Sequence, residues 1–355
     1  MLTIQIIIYL IGLLLIGLTA LPLLKLDAWW IRIGDFPRLQ IAFLCGLLAA
    51  VFLISGYPLG WFEITFLCLL AICTLYQFYC VLPYTILYPK QVETANTPNS
   101  KSTVKLLISN VYMENEETER LVKLVEDVDP DLILLAEPNE RWLKEVAVFE
   151  KEYKYNVKCP LDNAYGMALY SRLKLENPQL KFLVEDDIPS IHTGVRLDSG
   201  DLIKLYCVHP RPPMPTENDC STERDAELIL VGRMVKGTET PTIIAGDLND
   251  VAWSRTTTLF QKISNLLDPR IGRGLFSSFH AKHWFIRFPL DHVFHTNHFR
   301  LADIKRLPSI GSDHFPLYVE LSYEQTAESS QEEPKADADE EKESIEMINE
   351  AKDKV

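Results

Sequence analysis

The 355 residues include seven cysteines but no CxxC pair and no Cys/His spacing of the zinc-binding kind. A zinc ribbon and a dithiol redox centre are therefore excluded. Cys45, Cys68, Cys73 and Cys80 lie in apolar stretches and Cys159, Cys207 and Cys220 in more polar sequence. An odd number of soluble cysteines without framework spacing fits reduced thiols facing a cytosol, where they serve as small buried apolar groups. A basic excess is also missing. Residues 1–100 carry four basic and four acidic side chains, residues 101–323 carry 27 and 33, and residues 324–355 carry 4 and 12, so over half of the net charge of −14 sits in the last 32 residues. A protein that grips long duplex nucleic acid through its phosphates needs the opposite balance. No internal repeat appears, which excludes a solenoid.

Charge is absent altogether from residues 2–24. At 1.5 Å per residue such a helix crosses a hydrocarbon layer of roughly 30 Å. The start has no Lys or Arg, the run is too long, and no small-residue cleavage site follows, which excludes a cleaved signal peptide. Two more apolar runs, 39–55 and 61–82, the latter interrupted only by Glu63 near its start, complete a predicted three-span membrane anchor over residues 1–91. The spans lack intramembrane charge pairs and broken-helix signals, which argues against transport. Lys25, Arg32 and Arg38 fall in the first connection and Lys90 follows the third span, while the other face has no Lys or Arg. The positive-inside rule then places the remainder of the chain in the cytoplasm. Trp29, Trp30 and Trp61 suit the membrane interface.

Residues 92–102 read as a polar linker and residues 324–355, rich in Glu, Asp, Ser, Ala and Lys, as a disordered acidic tail with at most a frayed helix over 344–354. Between them the pattern alternates apolar strands with amphipathic helices. Strands are expected at 104–108, 132–136, 165–172, 194–197, 202–208, 242–245, 289–294 and 316–321, and helices at 116–128 and 224–235. These strands end in polar residues: Asn110, Glu137, His209, Asp247 with Asn249, Asp291 near the start of its strand, and Asp313 with His314 just before the last. The prolines at 210, 212, 213 and 215 forbid regular structure after His209.

The motifs SNV, LLAEPN, HPRPP, GDLN, PLDHVF and GSDHFP, in that order over about residues 103–322, resemble those of the endonuclease/exonuclease/phosphatase superfamily, in the manner of a membrane-anchored bacterial member. The resemblance implies an α/β four-layer sandwich of two packed mixed β-sheets flanked by helices, occupying residues 103–323. It also implies a site where strand ends of both sheets meet. Phosphodiester hydrolysis needs an activated water, neutralised phosphoryl oxygens and a stabilised leaving group. Magnesium, or manganese in its place, supplies part of this through one or two carboxylates. On this resemblance Glu137, with Asn110 and Asp313, holds the metal and Asp247 activates the water. Asn249 binds a non-bridging oxygen, and His314, polarised by Asp291, acts as acid or cationic stabiliser. His209 matches the histidine that assists the leaving group or binds phosphate, and Arg172, in YSR, stands where the superfamily's Ser-Arg motif does, which makes it a substrate-binding candidate packed near the site. His280, His283, His295 and His298 cluster with Arg270, Arg273, Lys282, Arg287 and Arg300 around Asp291, as a substrate-facing loop or an ordinary surface. His292 alternates away from Asp291. Asp250 reads as a turn or capping residue. The expected protein is a bacterial inner-membrane phosphoesterase acting on nucleic acid or a lipid headgroup, with the bilayer as partner and no protein partner indicated. The alternative is a catalytically silent, membrane-tethered scaffold with the same fold.

Overall fold

The computed structural model describes residues 2–56, 58–95 and 98–354. Four helices come first: α1 (Leu2–Ala20), α2 (Trp29–Arg32), α3 (Arg38–Ile54) and α4 (Trp61–Val81). α1, α3 and α4 pack through Ile8, Leu15, Ile41, Cys45, Phe66 and Leu70. Leu13, Leu14, Phe43, Leu53, Ile72 and Leu75 point outward. So broad an apolar skin is unfavourable in water. Gln5–Leu24 and Trp61–Tyr84 are each long and apolar enough to cross a membrane. α3 has 17 residues and becomes a third candidate only when joined to Trp29–Asp35 across a 71° bend.

The rest alternates strand and helix: β1 (Thr103–Asn110), α5 (Thr118–Val128), β2 (Leu132–Ala136), α6 (Glu140–Glu145), β3 (Tyr155–Cys159), β4 (Met167–Ser171), β5 (Lys174–Phe182), β6 (Pro189–Arg196), β7 (Leu202–Cys207), α7 (Thr222–Val235), β8 (Thr242–Asp247), α8 (Arg255–Ser264), β9 (Asp291–His295), β10 (Phe299–Arg306), β11 (Leu317–Tyr323) and α9 (Ala338–Lys352). They build two mixed sheets, ordered β10-β11-β1-β2-β4-β3 and β5-β6-β7-β8-β9. Alternate residues of the central strands, among them Leu106, Ile108, Leu134, Leu205, Ile243, Ala245 and Val319, meet between the sheets in a dry core. The opposite face of the first sheet is covered by α5 and α6 through Leu121, Val125 and Trp142. That of the second is covered by α7 and α8 through Leu228, Val231, Phe260 and Ile263. The result is the expected four-layer sandwich, because strands apolar on both faces must be covered on both.

Two expectations fail. The supposed linker is sheet edge at its start: Val92 is fully buried in the central core, and the segment pairs with β10 through Thr94 and Leu301. The acidic tail carries α9, capped by Asp337 and Glu340, which lays Ile348 onto the core beneath α7 and α8. Its acids meet bases of those two helices. Glu341 pairs with Arg233 and Lys236, Glu340 with Lys262 and Glu343 with Arg255. The low apolar content is compensated by charge complementarity that composition does not display.

Candidate active site

Strand direction brings the polar residues to one place. β1 and β2 run parallel with Asn110 opposite Ala136, so Asn110 and Glu137 leave the first sheet side by side. β11 runs antiparallel to β1 and its leading end, just after His314, lies at the same edge. In the second sheet β7 and β8 are parallel, so His209 and Asp247 emerge together. β9 is antiparallel to β8 with Asp291 directly opposite Asp247. The edges of the two sheets face each other there.

Asn110 is the bridge between them. It is buried, and its Nδ2 donates to Glu137 Oε1 at 2.7 Å and to Asp247 Oδ2 at 3.1 Å. Tyr112 N donates to its Oδ1 at 3.0 Å. His314 is held between two carboxylates, with Nδ1 at 2.8 Å from Asp291 Oδ2 and Nε2 at 3.5 Å from Asp247 Oδ2. Burial alone lowers the pKa of His314, but Asp247 and Asp291 outweigh it and push it up to about 10, so the ring is an imidazolium at neutral pH. Burial raises the Asp247 carboxyl above the usual range, against the pull of His314. Burial likewise pushes Glu137 up to about 7, opposed by the Asn110 hydrogen bond and His314.

A metal fits beside Glu137 better than between the acids and the histidine. Asp247, Asp291 and His314 approach closely enough to surround an ion. A doubly protonated imidazole, however, has no lone pair to offer. Among the described residues Glu137 Oε2, by contrast, meets only Met113 N at 3.4 Å, and the Asp313 carboxylate has only a 3.3 Å hydrogen bond from Ser312 Oγ. These are hard oxygen donors, the chemistry of Mg²⁺. The charge that burial disfavours on Glu137 is one that a cation would stabilise.

The remaining candidates sort by place. Asn249 has φ +51°, donates through its backbone N to Asp247 Oδ1 at 2.9 Å, and through Nδ2 to Pro210 O at 2.9 Å. His209 is buried and stacks near Tyr165, and its Nδ1 has no partner among the described residues. Burial lowers its pKa, with Asp247 opposing, so it stays neutral.

Arg172 is not at the site. β4 is antiparallel to β2, with Ser171 opposite Leu132 and Met167 opposite Ala136. Its C-terminal end therefore lies four strand steps, roughly 13 Å, from the edge that carries Glu137. Arg172 instead pairs with Asp129 and Glu152. The basic segment divides similarly. Arg270 is buried against Asp268 and Arg300 pairs with Glu93 and Glu324. Lys282 lies over Tyr112 and Arg287 over Phe315, next to the site. Sequence reasoning missed Ser278, whose Oγ accepts from Asp291 N, and Phe279, whose ring lies 5.0 Å from that of His314; no pattern in the sequence marks either.

An acid, amide and imidazolium cluster at the joined strand ends of two packed sheets defines a hydrolytic α/β sandwich. The chain belongs to the Endonuclease/Exonuclease/phosphatase family, whose model matches residues 107–314 and whose enzymes act on phosphoester bonds. Solved structures of like fold include family proteins from Bacteroides vulgatus (14% identity, 63% of this chain and 100% of that one, TM-score 0.51) and Bacteroides thetaiotaomicron (17%, 65% and 98%, 0.50). A third is from Beutenbergia cavernae (14%, 63% and 72%, 0.50). At these identities they show the fold alone. No curated protein sequence matches the chain.

Proposed function

We propose that this protein is a membrane-anchored, magnesium-dependent phosphodiesterase that works at the bilayer surface on the phosphodiester of a lipid headgroup. The observation that carries the chemistry is the buried cluster in which Asn110 joins Glu137 to Asp247 while Asp291 and Asp247 hold a charged His314. Glu137, with Asn110 and Asp313, would hold the metal, and what magnesium supplies there is neutralisation of charge on the phosphoryl oxygens. Asp247, its basicity raised by burial, orients the attacking water and takes its proton. Asn249 keeps one amide N–H for a non-bridging oxygen after its bond to Pro210. His314 faces the charge that develops in the transition state, and neutral His209 stands by the leaving group.

The membrane part of the reading rests on the rim of the site. Trp284 is 79% and Phe285 55% exposed in the loop that packs on His314 through Phe279. Gln40 Nε2, in the first turn of α3, donates to Phe285 O at 2.7 Å. The loop thus lies level with the start of an apolar helix, where aromatic side chains favour the bilayer interface.

The test is an assay of the full chain in vesicles and in detergent against lipid phosphodiesters, a single-stranded oligonucleotide and inositol phosphates, with magnesium or with chelator. Turnover of the lipid, lost on chelation, is expected, and Asp247→Ala should lower kcat by about a hundredfold or more. Activity that survives complete metal removal sinks the mechanism; hydrolysis of the oligonucleotide alone sinks the substrate.

A further inference from the structure

Beneath the catalytic turn lies a buried ion network assembled from both the anchor and the catalytic part of the chain. Asp250, next to Asn249, is 1% exposed, and Asp225, Arg224 and Arg32 are each 3% exposed or less. Arg224 Nε and Nη2 grip Asp225 Oδ1 at 2.9 and 2.6 Å. Its Nη2 lies 3.4 Å from Asp250 Oδ2, and its Nη1 donates to Asn249 O at 2.9 Å. Arg32 comes from the connection between the first two apolar segments. Its Nη2 donates to Thr256 Oγ1 at 2.9 Å and sits 3.8 Å from Asp250 Oδ2 and 4.0 Å from Asp225 Oδ2. Asp35, 3.8 Å from Arg32, already has Arg38 at 2.5 Å.

The charge count gives Arg32 its importance. Three arginines, Arg32, Arg38 and Arg224, face three carboxylates, Asp35, Asp225 and Asp250. With Arg38 bound to Asp35, Asp225 and Asp250 share Arg224 and Arg32. Without Arg32, among the described residues of this network one arginine faces two buried carboxylates, and an uncompensated buried charge is strongly unfavourable. The strain falls on the segment that shapes the site. Asp250 O is hydrogen-bonded to His292 Nε2 at 2.9 Å, and Asn249, at a left-handed φ of +51°, has its carbonyl bonded to Arg224 and its N–H to Asp247. If Arg224 is drawn off to serve both acids, the Asn249 carbonyl loses its donor.

We infer that Arg32 is a positioning residue: the membrane anchor completes the charge balance that holds the Asp247–Asp250 turn in its working shape, so that the anchor is part of the catalytic architecture and not only a tether. The inference uses the phosphodiesterase reading for one of its two readouts.

The experiment uses the full chain in detergent with Arg32→Met, Arg32→Lys, Asp225→Asn and the double variant Arg32→Met/Asp225→Asn. Arg32→Met is expected to lower kcat on the order of tenfold to a hundredfold with KM changed little, the scale on which misplaced catalytic groups act. Arg32→Lys, which keeps the charge, should recover most of it. The double variant, neutral again, should exceed Arg32→Met both in kcat and in Tm, a non-additive coupling measured by the cycle. Wild-type kcat in folded Arg32→Met, or effects of the two single changes that simply add, would overturn the inference. If Arg32→Met does not fold, the double variant decides: restored cooperative melting supports the charge balance, and continued unfolding overturns it. Should the wild type hydrolyse no phosphodiester, that failure belongs to the function proposed above, and the Tm cycle still tests the network.

Discussion

Replacing Asp291 with Asn isolates what the second carboxylate does for His314. Asp291 Oδ2 lies 2.8 Å from His314 Nδ1, and both side chains are buried. The amide has nearly the same shape, and its NH₂ can take the place of Asp291 Oδ1, which has no hydrogen-bond partner among the described residues. A buried hydrogen bond between charged groups is worth about 1.5–3 kcal/mol, and one pKa unit corresponds to about 1.4 kcal/mol, so the imidazolium should lose on the order of one to two units. Since a raised histidine pKa means that the charged form persists below it, the wild-type rate should hold through neutrality and fall as pH rises through about 10. In the variant that alkaline limb should fall between about 8 and 9. Both rings are charged at pH 7, so any loss of kcat there reports misorientation of the imidazole and the shift of the limb reports the electrostatics. The assay is kcat against a soluble phosphodiester from pH 6 to 10.5 at saturating magnesium. A limb that stays put, or moves upward, refutes the assignment of His314 as a cation stabilised by Asp291.

Three further outcomes are expected. A Cβ on Gly246, whose φ is +147°, would stand 1.9 Å from the Val208 carbonyl oxygen; Gly246→Ala should therefore cost about 3 kcal/mol or more, the sum of a forbidden backbone conformation and overpacking. Thermal melting checks it, and an unchanged Tm would mean that β7 and β8 can separate freely. Glu227 on α7 is buried, its Oε1 without a hydrogen-bond partner among the described residues, and burial, with Glu185 adding, pushes its carboxyl up to about 8. The unfolded chain ionises it near 4.5 while the folded one keeps the proton, so stability declines as pH rises from about 4.5 to about 8, and Glu227→Gln should gain up to about 3 kcal/mol at pH 7 and nothing near pH 4. Equal gains in denaturant titrations at both pH values would exclude this account. Residues 100–325 cut from the chain lack Arg32, Val92 and α9, and should not melt cooperatively; a transition near that of the full chain would show that neither flank is needed.

The strands that deliver the site residues were legible in the sequence because each is a local pattern: a short apolar run closed by Gly246-Asp247 or by Ala136-Glu137 needs only its own few residues to be read, whereas β3, β5 and β10, which lack such a run, were not expected. The convergence of those ends came from the order of motifs, and the structure supplies the cause in the parallel pairs β1/β2 and β7/β8. Arg172 was misplaced because proximity to a strand end says nothing about which edge that end occupies until the pairing is known; β4 runs against β2, so its end lies at the wrong edge. Ser278 and Phe279 went unseen since they act from a loop without periodicity.

Asp250 shows where local reading stops. Beside Asn249 it has the look of a turn or capping carboxylate, and it does brace the turn, accepting from Val251 N and from the Oγ of Ser254, the residue that caps α8. Its weight comes from Arg224 and Arg32, and Arg32 lies more than two hundred positions away in a stretch whose charge the positive-inside rule also uses. The same holds for the acidic tail, whose Glu343 pairs with both Arg255 and Lys25. Lys25 precedes α2 and Arg32 ends it, so the connection read as a positive-inside signal is held from one side by the tail helix and from the other by the Asp247–Asp250 turn. Composition divides this chain at residues 92 and 324, whereas its buried and paired charges run across both divisions. A charge that satisfies a topology rule can also balance a carboxylate in the folded protein, and only the second role connects the N-terminal helices to the site.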